Sequence, residues 1–219
     1  MKIKVCGMKY PANIKQLTEL PVDFIGLIMY RKSPRYFLDE DTSITPDARR
    51  EALFSIPQQI AKVGVMVNEE PMNAFFYAKH LKLDYLQFHG NESVQDCEMI
   101  KIAKPDLKII KAFNVSTPED FKQTKTYEDI CDYFLFDTKT PRHGGSGLKF
   151  DWEILNEYSG NTPFFLSGGI SLEDAERIKE IQHPRLYAVD LNSKFETAPG
   201  QKDIELVEQF IKQLKNEQD

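Results

Sequence analysis

Cys6 and Asp137 are the side chains in this sequence best suited to moving protons. In the opening stretch "MKIKVCGMKY", apolar Ile3 and Val5 alternate with Lys2 and Lys4 until Cys6 and Gly7 end the pattern. A thiol at the carboxyl end of a short strand reads either as a small buried hydrophobe or as a base. Asp137 follows the apolar run Tyr133 to Phe136, an expensive place for a charge without partners. It can cap a turn, pair with Lys139, or hand over a proton. A thiol and a carboxylate on opposite sides of a pocket can divide base and acid duties. At a pKa of about 8.5 only roughly 3% of a thiol is ionised at pH 7, so a thiol base calls for a lowered pKa. Lys4 or helix dipoles act in that direction; a nearby phosphate acts against it.

Other stretches offer binding groups. Ser167-Gly168-Gly169 precedes Ile170 and Ser171; paired glycines let backbone N–H groups approach an anion, and a helix opening there adds a favourable dipole. "VDLNSKFE" (189–196) contributes Asp190, Asn192, Ser193 and Lys194. "YRKSPRYF" (30–37) carries Arg31, Lys32 and Arg35, and an arginine fork suits a carboxylate, although a solvated basic loop explains the cluster equally well. His89 closes "DYLQFH". The glycines at 144, 145 and 147 describe a lid, a ligand loop or a surface connector.

These residues need elements to place them. Short apolar runs, rich in β-branched and aromatic residues, recur at 3–7, 23–30, 62–67, 84–90, 108–113, 132–138, 163–169 and 186–193. Several are apolar almost without a break, as strands covered on both faces are. Between them lie helical spacings: Ile14, Leu17 and Leu20; Met72, Phe75 and Phe76; Val94, Cys97 and Ile100; Leu172, Ala175, Ile178 and Ile181; and a closing set from Ile204 to Leu214. Pro11, Pro46, Pro71 and Pro118 mark first helical turns, and Ser171 with Asp174 forms a cap-like pair. Strand then helix, repeated eight times, predicts an α/β fold: a single-domain (β/α)8 barrel over residues 1–219, its eight-stranded parallel sheet closed. A doubly wound open sheet would bring GxGxxG after the first strand, and "CGMKYP" is not that motif. In a barrel the carboxyl ends of all strands meet at one face. Cys6, His89, Asp137, Gly168, Gly169, Asp190 and Asn192 are therefore expected around one mouth.

Composition narrows the partners. There are 28 basic and 34 acidic side chains, for a formal charge of −6. They are interspersed, which argues against nucleic acid or an anionic membrane surface. Three widely spaced cysteines and four scattered histidines suit a reducing compartment, with neither a disulfide framework nor a metal site. With no signal-like or membrane-spanning run, the expectation is a cytoplasmic protein.

Taken in order, "KVCGM" (4–8), "KSPRYF" (32–37), "VGVMVNE" (63–69), "LQFHGNES" (86–93), "FDTKT…GGSG…FDW" (136–152), "LSGGIS" (166–171) and "VDLNSKFE…PGQKD" (189–203) resemble the phosphoribosylanthranilate isomerase family of tryptophan biosynthesis. The resemblance implies a cofactor-free Amadori rearrangement of N-(5-phosphoribosyl)anthranilate to 1-(2-carboxyphenylamino)-1-deoxyribulose 5-phosphate. By motif match, Asp137 is the general acid that opens the furanose ring and Cys6 the base that removes the C2′ proton. Arg35 holds the anthranilate carboxylate, and Gly168, Gly169, Asn192 and Ser193 hold the phosphate. Asp190 lies alongside, and His89 joins the substrate contacts. The family's eighth loop commonly reads Ser-Ser-Gly, where this chain has Asn192-Ser193-Lys194; Lys194 either compensates as a point charge or points to solvent. Alternatives are another phosphosugar isomerase of the histidine-pathway type, whose acid–base pair is typically two aspartates, and a non-catalytic barrel binding a phosphorylated metabolite. The partner expected is the small phosphoribosyl substrate, with no nucleic acid, no membrane and no metal, and the chain is expected as a monomer or homodimer.

Overall fold

The computed structural model describes residues 1–40, 43–138 and 152–215; the glycine loop after the sixth strand lies outside them. Strands β1 (Lys2–Cys6), β2 (Phe24–Ile28), β3 (Ala61–Met66), β4 (Tyr85–Phe88), β5 (Lys108–Val115), β6 (Tyr133–Thr138), β7 (Phe164–Leu166) and β8 (Leu186–Leu191) pair in parallel, in sequence order. Closure is made by β1, which pairs with β2 through Cys6 opposite Gly26 and with β8 through Lys4 opposite Asp190. The predicted barrel and all eight strands are found.

Helices α1 (Pro11–Leu17), α2 (Pro46–Phe54), α3 (Pro71–His80), α4 (Val94–Ala103), α5 (Ala175–Lys179) and α6 (Ile204–Lys215) cover the outside. Proline opens α1, α2 and α3, and Pro118 opens a 3-10 segment after β5. Two expectations need correction. After β5 and β6 the connections are 3-10 turns, Pro118–Tyr127 and Trp152–Glu157, not α-helices. In the first of these, Thr124 donates to Phe121 O at 2.8 Å and Thr126 to Gln123 O at 3.3 Å, so threonine hydroxyls compete for main-chain carbonyls and favour the tighter turn. On α3 the buried face is Ala74 and Ala78, whereas Met72 and Phe76 are 75% and 55% exposed. The small side chains let the helix lie close to the sheet, and the large ones face outward.

The apolar core has two compartments. One lies between sheet and helices and takes Ile3, Val5, Ile25, Leu27, Phe134 and Phe136. The other fills the barrel with Phe24, Val63, Val65, Ile110, Leu135 and Phe165. Because strand side chains alternate, Ile3 and Val5 face the helices while Lys4 and Cys6 face the barrel axis. The alternation of β1 is thus inverted: its lysines point inward. Phe24, Tyr85, Tyr133, Phe165 and Tyr187 floor the barrel, with ring centroids 4.7–6.2 Å apart between neighbours. Mutual burial pushes Tyr85 and Tyr133 up to about 12. This floor leaves the carboxyl face as the open end.

One connection was not foreseen. After β8 the chain forms a hairpin, β9 (Glu196–Ala198) and β10 (Gln201–Lys202). Buried Asn13 of α1 clamps it: its Oδ1 accepts from Lys202 N at 2.7 Å and its Nδ2 donates to Lys202 O at 2.9 Å. Replacing Asn13 by Ala leaves two buried main-chain groups without partners, at a cost of about 2 kcal/mol. The urea midpoint should drop accordingly; an unchanged midpoint would show that the clamp carries no stability. No helix among the described residues is long and apolar enough to cross a membrane.

Candidate active site

The thiol is placed by the turn that ends β1. Gly26 O accepts from Gly7 N at 2.9 Å and from Met8 N at 3.0 Å, and Gly7 adopts φ +79°, where a side chain is strained. A Cβ at Gly26 would stand 2.8 Å from Cys6 Sγ, so glycine in β2 leaves the thiol its room. Below Cys6 on the same face, Lys4 Nζ donates to Asp190 Oδ1 at 2.8 Å, and both are buried. Ser167 Oγ lies 3.5 Å from Asp190 Oδ2. Burial pulls the Lys4 ammonium down, but Asp190 and then Cys6 push it up by more, so it sits above the usual lysine value.

The lowered pKa that a thiol base calls for is not what the resting site provides. Burial raises Cys6, Lys4 only partly opposes this, Asp190 adds to the rise, and Lys202 opposes it. Desolvation of the anion outweighs the two ammonium groups. At rest the group is a thiol.

Asp137 is the penultimate residue of β6, three places from β1 around the ring of eight strands and so nearly across the mouth. It points inward because Leu135, two residues earlier, lies inside the barrel. His89 Nε2 is 3.4 Å from Asp137 Oδ2, and its Nδ1 faces Gln87 Nε2 at 2.9 Å. With the amide donating to Nδ1, the imidazole carries its proton on Nε2, toward Asp137. Gln87 is buried, and its Oε1 has no hydrogen-bond partner among the described residues. The β4 loop that carries His89 is pinned by Glu92, whose carboxylate accepts from Asn68 N at 2.7 Å and Gly90 N at 2.9 Å. Lys111 Nζ adds a bond to Gly90 O at 2.7 Å. Burial raises Asp190 even against Lys4, and Asp137 adds to that rise. Cys6, Lys4, Asp190 and Asp137 therefore share one field across the mouth.

The remaining predicted residues divide. Arg31 and Lys32 are exposed, and Arg35 alone of that cluster turns inward. Its Nε and Nη2 grip Glu196, with Nη2 at 2.6 Å from Oε2. Glu196 also accepts from Lys202 Nζ at 2.6 Å, and Lys202 reaches Asn192 Oδ1 at 2.9 Å. Burial raises Glu196, but Arg35 and Lys202 hold it below the usual carboxylate range. Lys194 is exposed. Gly168 and Gly169 take φ +98° and +67°, conformations that turn the backbone sharply after β7. The helix dipole expected there is not available: Leu172–Asp174 is a 3-10 turn, α5 has five residues, and Ser171 N already donates to Asp174 Oδ2 at 2.7 Å. Ser193 opens a 3-10 turn beside Asn192. Gln87, Glu196, Lys202 and Asn13 were missed in the sequence. No periodicity marks them, and "PGQKD" was only part of a motif.

Comparison with known proteins gives a consistent picture. A family model described as "N-(5'phosphoribosyl)anthranilate (PRA) isomerase" matches residues 3–213. The N-(5'-phosphoribosyl)anthranilate isomerase of Parabacteroides distasonis is 46% identical over 214 residues, 98% of this chain and 93% of that protein. The Thermotoga maritima protein of the same name is 34% identical over 98% of both chains. A crystal structure of the Thermotoga maritima enzyme superposes with a TM-score of 0.83 at 32% identity, covering 99% of each chain. A crystal structure of a phosphoribosyl anthranilate isomerase in complex with reduced 1-(o-carboxyphenylamino)-1-deoxyribulose 5-phosphate gives 0.81 at 30% identity, again over 99% of each.

Proposed function

The chain belongs to the N-(5'-phosphoribosyl)anthranilate isomerase family, and from that premise we propose that Cys6 and Asp137 are its base and acid. It isomerises N-(5-phosphoribosyl)anthranilate in tryptophan biosynthesis. The observation that carries the assignment is the inward pair on β1 and β6, facing the mouth from nearly opposite strands with Lys4–Asp190 beneath Cys6.

The steps follow from the geometry. As the acid, Asp137 gives a proton to the furanose ring oxygen; the C1′–O bond breaks and leaves an iminium at C1′. The carboxylate left behind accepts from His89 Nε2–H. The iminium cation beside Cys6 favours the thiolate that burial disfavours at rest. Cys6 then removes the C2′ proton, the electrons fill the C1′–C2′ bond, and the enolamine tautomerises to the ketone. The thiol's own proton leaves to solvent as the thiolate forms, and solvent reprotonates Asp137 when the product is released, so protons taken and given balance; acid and base are each worth roughly 10²- to 10⁴-fold. Arg35, its Nε and Nη2 fixed by Glu196, keeps its remaining edge for the anthranilate carboxylate. Gly168, Gly169, Asn192 and Ser193 cradle the phosphate, while Asp190 holds Lys4 and Ser167. We read the whole chain, 1–219, as one cytoplasmic barrel domain acting on this small molecule as a monomer or homodimer. Membership in the family leaves the histidine-pathway and non-catalytic readings without support.

Freshly made phosphoribosylanthranilate fluoresces, and its disappearance on adding the protein is the direct test; persistence would overturn the reading. In that assay Arg35→Ala should raise KM about tenfold or more, from the loss of a charge-assisted bond worth about 1.5–3 kcal/mol, with a smaller change in kcat. An unchanged KM would remove Arg35 from carboxylate binding.

A further inference from the structure

Lys202 has no part in the chemistry above, yet it is one of the most deeply buried charges in the protein. Its residue is 2% exposed and its side chain 0%. An ammonium taken out of water costs several kcal/mol unless it is well partnered, so its position calls for a reason. The main chain at Lys202 is clamped in both directions by Asn13, at 2.7 and 2.9 Å. The side chain runs from β10 toward the turn after β1: a Cβ built on Gly7 would stand 3.5 Å from Lys202 Nζ, 2.8 Å from Asn192 Oδ1 and 2.9 Å from Arg35 Cδ. Lys202 thus arrives beside the residue that follows the thiol. Glu196, 4% exposed in its side chain, binds Lys202 at 2.6 Å and Arg35 at 2.6 Å. One carboxylate bridges the cation near the thiol and the cation assigned to the substrate carboxylate.

We propose that Lys202 is a positioning residue for the base, its buried ammonium steadying the Cys6 thiolate from the β10 side, and that Glu196 links this cation to Arg35. Among the described residues, the charged groups facing Cys6 include Lys4 below it on β1, Asp190 on β8 and Lys202 on β10, with Asp137 across the mouth on β6. Lys4 is neutralised at close range by Asp190. Lys202 shares its partner with Arg35, so the Arg35–Glu196–Lys202 cluster keeps a net positive charge next to the thiol. That excess charge favours a thiolate over a thiol. The same cluster joins two events: a substrate carboxylate docking on Arg35 meets a scaffold already fixed to the base.

The inference rests on Cys6 being the base, and the test separates the two. Lys202→Met removes the charge and keeps the bulk. The kcat/KM profile should move toward alkaline pH by about one unit, so that activity at neutral pH falls about tenfold and recovers as pH rises. Ultraviolet titration of the Cys6 thiolate, with Cys6→Ser as the blank, should move the same way without any substrate present. Lys202→Gln, which keeps hydrogen bonds to Glu196 and Asn192, should reproduce the shift and serves if the methionine variant does not fold. Lys202→Arg, which restores the charge, should return both profiles toward wild type. Glu196→Gln should raise KM more than it lowers kcat, because Arg35 loses its fork. A loss of activity with pH profile and thiolate titration unmoved would make Lys202 merely structural and overturn the inference. Full activity in Cys6→Ser would instead overturn the assignment of the base, whatever Lys202 does.

Discussion

Replacing Cys6 by Ser is expected to lower kcat about 10²- to 10⁴-fold while leaving KM and the unfolding midpoint close to wild type. Serine fits the space that Gly26 leaves beside the thiol, so packing changes little. Its hydroxyl ionises far less readily than a thiol, and abstraction of the C2′ proton loses its base. The wild-type enzyme carries a matching signature. Because burial raises Cys6 above the ordinary thiol value, and the active form is the deprotonated one, kcat/KM should climb with pH through neutrality and past about 8.5 without levelling. The serine variant should lack that climb. Wild-type turnover in Cys6→Ser, or a flat wild-type profile across neutral pH, would remove the thiol from the mechanism.

Asp137→Asn should cost a comparable factor in kcat for a different reason. The amide keeps the size and the contact with His89, but it has no acidic proton to give to the ring oxygen. Ring opening then becomes the slow step. Substrate deuterated at C2′ separates the two variants: the isotope effect on kcat should vanish in Asp137→Asn and persist in Cys6→Ser. An isotope effect of the same size in both would place Asp137 at the C2′ step and not at ring opening. Turnover like wild type in Asp137→Asn would exclude it as the acid.

The barrel was legible because its strands are apolar on both faces, and runs such as Tyr133 to Phe136 admit few other readings. The convergence of strand ends followed from the fold, which is why Cys6 and Asp137 could be paired across 131 positions of sequence. Elsewhere local pattern failed for local reasons. Thr124 and Thr126 tighten the segment after β5 into a 3-10 turn, and α3 buries alanines where larger side chains were expected inside. The site's electrostatics were less visible still. The burial of Lys4 and Lys202 could not be read from the sequence, since the partner of Lys4 stands 186 residues away and the partner of Lys202 sits across a hairpin that no alternation announces. The sign of the thiol's shift was hidden too. It is a contest between burial and two ammonium groups, and residue types alone do not say which prevails.

The most direct test of the shared acid–base site is a crystal structure of this protein with reduced 1-(o-carboxyphenylamino)-1-deoxyribulose 5-phosphate, the compound bound in a related isomerase. The account predicts Cys6 Sγ against C2′ and the Asp137 carboxyl against the C4′ oxygen that had closed the ring, on opposite sides of one sugar. Either side chain turned away from the sugar, or both on the same side of it, would contradict the account.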